Sequence, residues 1–214
     1  MMQTVAVIDY GSSNLRSVSK ALNYVADKHS RIIVSDNAEQ IRGADRIVFP
    51  GQGAMGQCMR SLTEKSLEEV LRESIKGKPF LGICLGLQSL MERSDEDNGT
   101  QGLGIIPGQV LKFTKGTVDA DGNALKIPHM GWNRVAQEQQ HALWKGIESG
   151  ERFYFVHSYY VQPSNPLDIA GSCNYTVDFT AALARDNIFA TQFHPEKSQK
   201  AGLALLANFL QWKP

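Results

Sequence analysis

The chain has 214 residues, of which 42% are apolar and 21% are charged, a composition typical of a globular protein that folds around its own core. Its 22 lysines and arginines balance its 22 aspartates and glutamates, so it lacks the basic excess of a general nucleic-acid or anionic-membrane binder. No apolar run reaches the roughly 18 residues that a membrane-spanning helix needs, and no signal-peptide pattern is present, so we expect a cytoplasmic protein.

The first half of the chain alternates strand-like and helix-like segments. Short apolar runs predict strands at residues 5–8, 32–34, 47–49 and 80–83, and apolar stripes of helical period predict helices at residues 15–26, 67–75 and 85–92. Strands that are apolar throughout and alternate with helices are typical of a parallel sheet covered on both faces.

The second half is richer in strand-like segments. They lie at residues 110–113, 126–127, 153–161, 169–175, 181–184 and 188–193, with a turn at Asp121-Gly122 and a closing helix at residues 198–212. No repeat, low-complexity tract or linker interrupts the pattern. We therefore predict an α/β fold with a mixed central sheet flanked by helices, in one domain that spans residues 1–214.

The segment Gly82-Ile83-Cys84-Leu85-Gly86 falls where a predicted strand meets a predicted helix. This is the glycine-flanked pattern of a nucleophile elbow, with cysteine in the position of the nucleophile. The N-terminus of the following helix favours a thiolate there. Cys58 and Cys173 lack such surroundings, and we interpret them as small buried apolar residues.

A second motif, Gln192-Phe193-His194-Pro195-Glu196, closes the last predicted strand. Residues two apart on a strand project to the same face, so the Glu196 carboxylate is expected to reach the His194 ring and orient it. A nucleophilic cysteine needs a base with an orienting group behind it. The two motifs together predict a triad of Cys84, His194 and Glu196.

The loop Pro50-Gly51-Gln52-Gly53 follows another predicted strand. Its glycines allow a backbone N–H, at Gln52 or Gly53, to point at a developing oxyanion. Beside a cysteine elbow, this loop is the natural first half of an oxyanion hole, and the N–H of Leu85 is the second half. The chain has no G-K-[ST] pattern after a strand, which argues against a P-loop that binds nucleotide phosphates.

Two further histidines, His129 and His157, lie in aromatic-rich segments, which are more typical of a core than of a site. No two histidines or cysteines have metal-ligand spacing on one element. We therefore predict neither a metal nor another cofactor.

The three motifs together resemble those of the triad, or class I, glutamine amidotransferases. Further stretches at residues 9–15, 129–133, 155–159 and 196–198 are similar to the glutaminase subunits of imidazole glycerol phosphate synthases, so the resemblance covers nearly the whole chain. It implies the three-layer, flavodoxin-like fold of class I amidotransferases.

The resemblance also implies a reaction and its residues. Cys84 would attack the side-chain amide of glutamine to form a glutamyl thioester, His194 would move the proton, and Glu196 would orient His194. The implied substrate contacts are Gln88, backbone at Gly51 and Gly53, and Ser158 with Tyr159.

A protein partner is implied as well. In the family, the released ammonia passes through a barrel-shaped cyclase subunit, and the heterodimer makes imidazole glycerol phosphate and aminoimidazole carboxamide ribonucleotide in histidine biosynthesis. Trp132, Tyr154 and Lys197 match family positions near that interface, and an exposed aromatic and basic patch suits an interface on physical grounds.

The chain departs from the family pattern at two places, and three other functions stay open. Gln52 stands where a small apolar residue is usual, and the Gly11-Ser12-Ser13-Asn14 turn has a serine where a second glycine is usual. The alternatives are an amidotransferase that serves another acceptor, a stand-alone γ-glutamyl cysteine hydrolase that is fully active alone, and a catalytically silent regulatory subunit.

Overall fold

A computed structural model describes residues 2–114, 116 and 125–214; the predicted turn at Asp121-Gly122 lies outside them. The strands of the described residues are β1 (Gln3–Ile8), β2 (Ser30–Ser35), β3 (Arg46–Phe49), β4 (Phe80–Ile83), β5 (Arg93–Ser94), β6 (Thr100–Gln101), β7 (Gly108–Lys112), β8 (His129–Gln137), β9 (Glu151–His157), β10 (Tyr159–Pro163), β11 (Ile169–Asn174), β12 (Asp178–Arg185) and β13 (Ile188–Thr191). The α-helices are α1 (Leu15–Val25), α2 (Ala38–Gly43), α3 (Met55–Glu64), α4 (Leu67–Ile75), α5 (Leu85–Gln88) and α6 (Gln199–Gln211).

The strands form a mixed sheet whose main path runs β2-β1-β3-β4-β13-β12-β10-β7-β5-β6, with β11 pairing β12 and β8, and β9 pairing β8. The first five strands of this path are parallel to one another, and β12 and β10 continue it antiparallel. Strands β3, β4 and β13 are therefore parallel neighbours. Their carboxyl ends meet at one edge of the sheet, where ligands bind in open α/β sheets.

Two apolar cores cover the two faces of the sheet. Along β1, Val5 and Val7 belong to one core and Ala6 and Ile8 to the other, which explains why the strand is apolar throughout. Helices α1 and α6 pack on the first face, and α2, α3 and α4 pack on the second. The predicted fold class, a mixed central sheet flanked by helices in three layers, is confirmed.

Two predicted segments differ from the structure in the second half of the chain. The predicted strand at residues 153–161 is two strands, because the chain leaves its pairing with β8 at Ser158 and pairs next with β7 and β12. The strand predicted at Lys126 and Ile127 is wrong, because β8 begins only at His129. Pro128, the residue before it, has no N–H and cannot donate a hydrogen bond to a neighbouring strand.

The helix predicted at residues 85–92 ends at Gln88. The carbonyls of Ser89, Leu90 and Met91 accept hydrogen bonds from the backbone N–H groups of residues 103–106. Because the incoming segment takes these carbonyls, the helix does not continue. In the part of the chain that the structure describes, no helix is long and apolar enough to cross a bilayer.

Candidate active site

Cys84 occupies a sharp turn between β4 and α5. Its backbone has φ 54° and ψ −102°, a conformation that L-residues rarely adopt outside functional sites. Its N–H donates to the carbonyl of Thr191 at 2.7 Å, which ties the turn to the end of β13. A Cβ at Gly86 would lie 1.9 Å from the carbonyl oxygen of Phe49, so glycine is required for the turn to approach the end of β3.

His194 and Glu196 form a buried pair beside this turn. Nδ1 of His194 lies 2.8 Å from Oε1 of Glu196, and both side chains are fully buried. The route to this pairing differs from the predicted one. Strand β13 ends at Thr191, and Pro195–Lys197 is a turn of 3-10 helix, so the turn, and not strand alternation, brings the carboxylate to the ring.

Hydrogen bonds fix the backbone of His194, and neighbouring anionic groups favour the protonated form of its ring. Its backbone N–H donates to the carbonyl of Tyr154 at 2.9 Å, and its carbonyl accepts from the hydroxyl of Ser198 at 2.6 Å. Burial alone would lower the pKa of His194, but the Cys84 thiolate and the Glu196 carboxylate outweigh burial and raise this pKa well above its ordinary value. Nε2 is buried with no hydrogen-bond partner among the described residues, which leaves it free to exchange a proton with Cys84.

Asn14 is a second partner of Glu196 that sequence reasoning missed. Its side-chain Nδ2 donates to Glu196 Oε1 at 3.3 Å, and its Oδ1 accepts from the hydroxyl of Ser12 at 2.6 Å. Asn14 does precede α1, but its side chain makes no capping hydrogen bond there. No local sequence pattern indicates this contact, because it joins residues near opposite ends of the chain.

The loop after β3 lies against the cysteine turn. A Cβ at Gly51 would lie 2.1 Å from the hydroxyl of Tyr10 and 2.9 Å from Cβ of Leu85, so this close packing requires glycine. The N–H of Leu85 donates to the carbonyl of Gly51, with a nitrogen–oxygen distance of 3.4 Å. One of the two predicted oxyanion donors is thus taken by the loop itself in this conformation. Gly53, with φ 108°, ends the loop in a conformation that favours glycine.

The two departures from the family pattern contact each other. Nε2 of Gln52 donates to the hydroxyl of Ser13 at 2.5 Å. This hydrogen bond ties the loop after β3 to the loop after β1. A small apolar residue at position 52 or a glycine at position 13 could not form it.

A cavity of about 240 Å³ opens onto Cys84. Its lining contains the predicted oxyanion and substrate residues except Gly51, and it adds residues that were not predicted; the lining residues are Gln52, Gly53, Cys84, Leu85, Gln88, Glu96, Pro128, Val156, His157, Ser158 and Tyr159. Glu96 is the most informative addition because it brings a carboxylate to the cavity. Its Oε2 accepts from the N–H of Met55 at 2.7 Å, and burial raises the pKa of this carboxyl.

The three predicted interface residues form one patch. The rings of Trp132 and Tyr154 meet edge to face with their centres 6.1 Å apart, and the ammonium of Lys197 lies 5.8 Å from the centre of the Tyr154 ring. Trp132 is 42% exposed, which is high for a tryptophan. The carbonyl of Tyr154 accepts a hydrogen bond from the N–H of His194, so the patch directly contacts the buried His194–Glu196 pair.

His129 and His157 lie in an aromatic core, as predicted, and they contact each other. Nδ1 of His129 is 2.9 Å from Nε2 of His157, and the His129 ring stacks on Tyr175 with 3.9 Å between ring centres. Burial lowers the pKa of His129 to about 4 and that of His157 to about 3. Among the described residues, no group of three or more His, Cys, Asp or Glu side chains is placed to hold a metal ion.

The comparison with known proteins agrees with this geometry. A family model described as glutamine amidotransferase class-I matches residues 6–212. The chain belongs to the class-I glutamine amidotransferase family. Within that family, it is 58% identical over 214 residues to the imidazole glycerol phosphate synthase subunit HisH of Nitrosomonas europaea, with 100% of each chain covered. The subunit HisH of Methylococcus capsulatus is 54% identical, with 100% of this chain and 98% of that chain covered.

Solved structures support the amidotransferase fold. The structure of PurLQS from Thermotoga maritima has a TM-score of 0.71 at 17% identity, with 99% of each chain covered. A structure described as a glutamine amidotransferase has a TM-score of 0.70 at 15% identity, with 97% of each chain covered. At these identities the likeness concerns the fold.

Proposed function

We propose that this class-I amidotransferase is the glutaminase subunit of an imidazole glycerol phosphate synthase, which hydrolyses glutamine to glutamate and ammonia in histidine biosynthesis. One observation carries the proposal. The Cys84 turn, the buried His194–Glu196 pair and the glycine loop follow β4, β13 and β3, three parallel neighbours, and so meet at one edge of the sheet. The high identity to HisH subunits supports this subunit role over that of another amidotransferase.

The triad performs the reaction in two halves. His194 Nε2 takes the proton of Cys84, and the sulfur attacks the side-chain amide carbon of glutamine. The imidazolium then gives its proton to the leaving nitrogen, so ammonia departs and a glutamyl thioester forms. Water then attacks the thioester while His194 takes a proton from the water. The carbon–sulfur bond breaks, glutamate leaves, and the imidazolium returns the proton to the Cys84 sulfur. Glu196 keeps the ring in place and stabilises the imidazolium.

The oxyanion that forms in each half needs donors on the enzyme. The N–H of Leu85 and a loop N–H at Gln52 or Gly53 are the proposed pair. Because the carbonyl of Gly51 takes the N–H of Leu85, the loop has to turn before both donors face the substrate. An activity that waits for a partner subunit is consistent with this arrangement.

The cavity also suits the amino-acid end of glutamine. The Glu96 carboxylate and Oε1 of Gln88 are acceptors for the substrate's ammonium group. Both N–H groups of Gln88 are used, on the carbonyl of Tyr159 and on Oε1 of Gln192, so only its oxygen is left for substrate. Ser158, Tyr159 and the backbone at Gly51 and Gly53 complete the proposed substrate contacts.

The proposed partner is the cyclase subunit, in a heterodimer with residues 1–214 as one amidotransferase domain. Direct transfer through such a partner keeps ammonia from being protonated in water. The patch of Trp132, Tyr154 and Lys197 is the proposed interface, and because Tyr154 contacts His194, a partner bound there would lie next to the triad. No metal or other cofactor takes part in this scheme.

A prediction follows for this interface patch. Trp132→Ala removes its exposed aromatic side chain, so we expect cyclase binding to weaken by about 2 kcal/mol, the usual effect of losing an interface hot spot. Calorimetric titration measures the binding, with Tyr24→Ala, an exposed aromatic residue on α1, as the matched control. Unchanged binding and stimulation for Trp132→Ala would count against the interface.

The experiment that tests the proposed function is glutamate release from glutamine by the purified chain, alone and with a cyclase subunit and its phosphorylated ribulosyl-carboxamide ligand. We expect weak release by the chain alone and strong stimulation in the complex. Full activity of the chain alone would favour a stand-alone hydrolase. The absence of activity in both conditions would favour another acceptor pathway or a silent regulatory subunit.

A further inference from the structure

Gln192 is a fully buried polar side chain that the triad mechanism does not use. It follows β13 directly, two residues before His194. Its Nε2 lies 3.6 Å from the sulfur of Cys84, and its Oε1 lies 3.1 Å from Nε2 of Gln88. A glutamine that sits between the nucleophile and a substrate-cavity residue has a fixed place in the site.

The orientation of the Gln192 amide follows from a backbone carbonyl. The carbonyl of Tyr159 can only accept, so the Gln88 atom that lies 3.0 Å away is the amide nitrogen. That nitrogen donates its second hydrogen to Gln192, which must therefore present its oxygen to Gln88. The NH₂ end of Gln192 then faces Cys84.

The carbonyl of Tyr159 also accepts a hydrogen bond from His157. Nδ1 of His157 lies 2.8 Å from the carbonyl of Tyr159 and must be the donor. Nε2 of a neutral His157 is then an acceptor, so the Nδ1 of His129, 2.9 Å away, donates to it. Burial lowers the pKa of both histidines, which keeps them neutral and keeps this direction of donation at neutral pH. The anchor of the Gln88–Gln192 pair is thus rigid.

We propose that Gln192 is a further catalytic residue, whose amide N–H donates to the Cys84 sulfur and stabilises its thiolate for attack on glutamine. The proposal rests on the proposed function, in which Cys84 is the nucleophile. A neutral amide is suited to this task because it stabilises negative charge without competing with His194 for the proton. The Gln192 N–H also limits the positions that the sulfur can adopt beside His194.

The size of the effect follows from two opposing changes. Loss of a hydrogen bond to a charged group lowers the thiolate population by about tenfold. The remaining thiolate is a stronger nucleophile, but this recovers only about half of the loss on a logarithmic scale. Reactivity of Cys84 should therefore fall by about threefold when the donor is removed.

The test is alkylation of Cys84 by iodoacetamide at pH 7 in Gln192→Met, which keeps the length of the side chain and removes its donor. Peptide mass spectrometry follows Cys84, Cys58 and Cys173 in the same sample. Cys58 and Cys173 are buried, and burial raises the pKa of Cys58 to about 11 and that of Cys173 to about 12, so both react only if the fold opens. Gln162→Glu, at an exposed glutamine on β10, is the matched control.

We expect Cys84 alkylation to fall about threefold in Gln192→Met while the other two cysteines stay unreactive. In Gln88→Met the fall should be smaller, and the Gln88→Met/Gln192→Met double variant should match Gln192→Met alone, because Gln88 acts through Gln192. Gln192→Asn, whose shorter amide is withdrawn from the sulfur, should repeat the fall if Gln192→Met unfolds.

Unchanged Cys84 alkylation in a folded variant would overturn the proposal and make Gln192 a structural residue. Alkylation does not depend on glutamine, so this outcome is distinct from a failure of the proposed function. A wild-type chain without glutaminase activity both alone and in complex with the cyclase would refute the function, whereas the reactivity of Cys84 would still report on Gln192.

Discussion

Two buried histidine sites lie within one core and have opposite charge preferences. His194 contacts the Glu196 carboxylate and lies near the Cys84 sulfur, and these anionic groups raise its pKa despite burial. His157 is equally enclosed, but its neighbours are a backbone carbonyl and the neutral His129 ring, and burial lowers its pKa to about 3.

The difference shows that the contacts of a buried histidine, and not burial alone, decide the direction of its pKa shift. Burial removes water from both rings and disfavours the charged form. At His194, the carboxylate and the thiolate restore that form, so the ring holds a proton at neutral pH. None of the described residues that contact His157 is negatively charged, so the ring acts as a fixed neutral donor and acceptor.

The largest expected effect comes from removing the proposed nucleophile. Cys84→Ala should reduce glutamine hydrolysis by at least about 10⁴-fold, because no covalent intermediate can form. Cyclase binding should be retained, since Cys84 lies in the cavity and not in the Trp132 patch. Cys173→Ala, which removes another buried thiol, is the matched control and should keep its activity; undiminished turnover in Cys84→Ala would refute the mechanism.

Removing the charge of Glu196 should make His194 resemble His157. Glu196→Gln keeps the shape of the side chain but takes away the anion, so the pKa of His194 should fall and kcat should drop on the order of 10³-fold. An NMR titration of the histidine and steady-state glutamate release measure the two effects. The exposed Glu148→Gln serves as control, and an unchanged kcat in Glu196→Gln would contradict the role of the carboxylate.

The two sites also predict how stability depends on pH. His129 and His157 have folded-state pKa values of about 4 and about 3, below the unfolded value of about 6.5, so the unfolded chain binds more protons between these values. The free energy of unfolding should therefore fall by about 1.4 kcal/mol per pH unit for each of the two as pH drops from 6 to 5. The raised pKa of His194 does not oppose this fall, because its contribution is complete below its unfolded pKa and is lost as pH rises.

Urea unfolding at several pH values measures this slope. His157→Gln should reduce the slope of the free energy of unfolding against pH by the contribution of about one proton. His29→Gln, at an exposed histidine, should leave it unchanged. A wild-type free energy of unfolding that is constant between pH 6 and pH 5 would contradict the assignment of a neutral histidine pair.

The smallest expected effect concerns the loop beside the triad. The Gln52–Ser13 hydrogen bond is present together with the one from the Leu85 N–H to the Gly51 carbonyl, and we expect it to hold the loop in this conformation. Ser13→Ala should therefore raise glutamate release by the isolated chain by about threefold, the size expected for one exposed hydrogen bond. Gln52→Leu should do the same, and the double variant should add nothing. A decrease, or additive increases, would show that the bond does not restrain the loop.

The site could be predicted from the sequence where one short segment carries the geometry. The elbow at Cys84 and the glycines at Gly51 and Gly53 are local turn chemistry, and the structure places them next to each other because their strands are neighbours in the sheet. Asn14 and Gln192 could not be assigned in the same way. Each meets its partner from a distant part of the chain, through a contact that no local periodicity encodes.

The same distinction applies to the fold. The buried parallel strands are visible as apolar runs because both of their faces pack against a core. The break at Ser158 and the early end of α5 depend on which distant segment takes the backbone hydrogen bonds. Sequence patterns report a segment's preference, and these two boundaries are set by competition between segments.

The covalent role of Cys84 is tested most directly by trapping the intermediate. Labelled glutamine is mixed with the complex of chain and cyclase, the reaction is quenched in acid within one turnover, and the labelled peptide is identified by mass spectrometry. The predicted result is a glutamyl thioester on Cys84 that disappears in Cys84→Ala. Glutamate release at full rate with no label on the chain, or with the label on Cys58 or Cys173, would contradict the account.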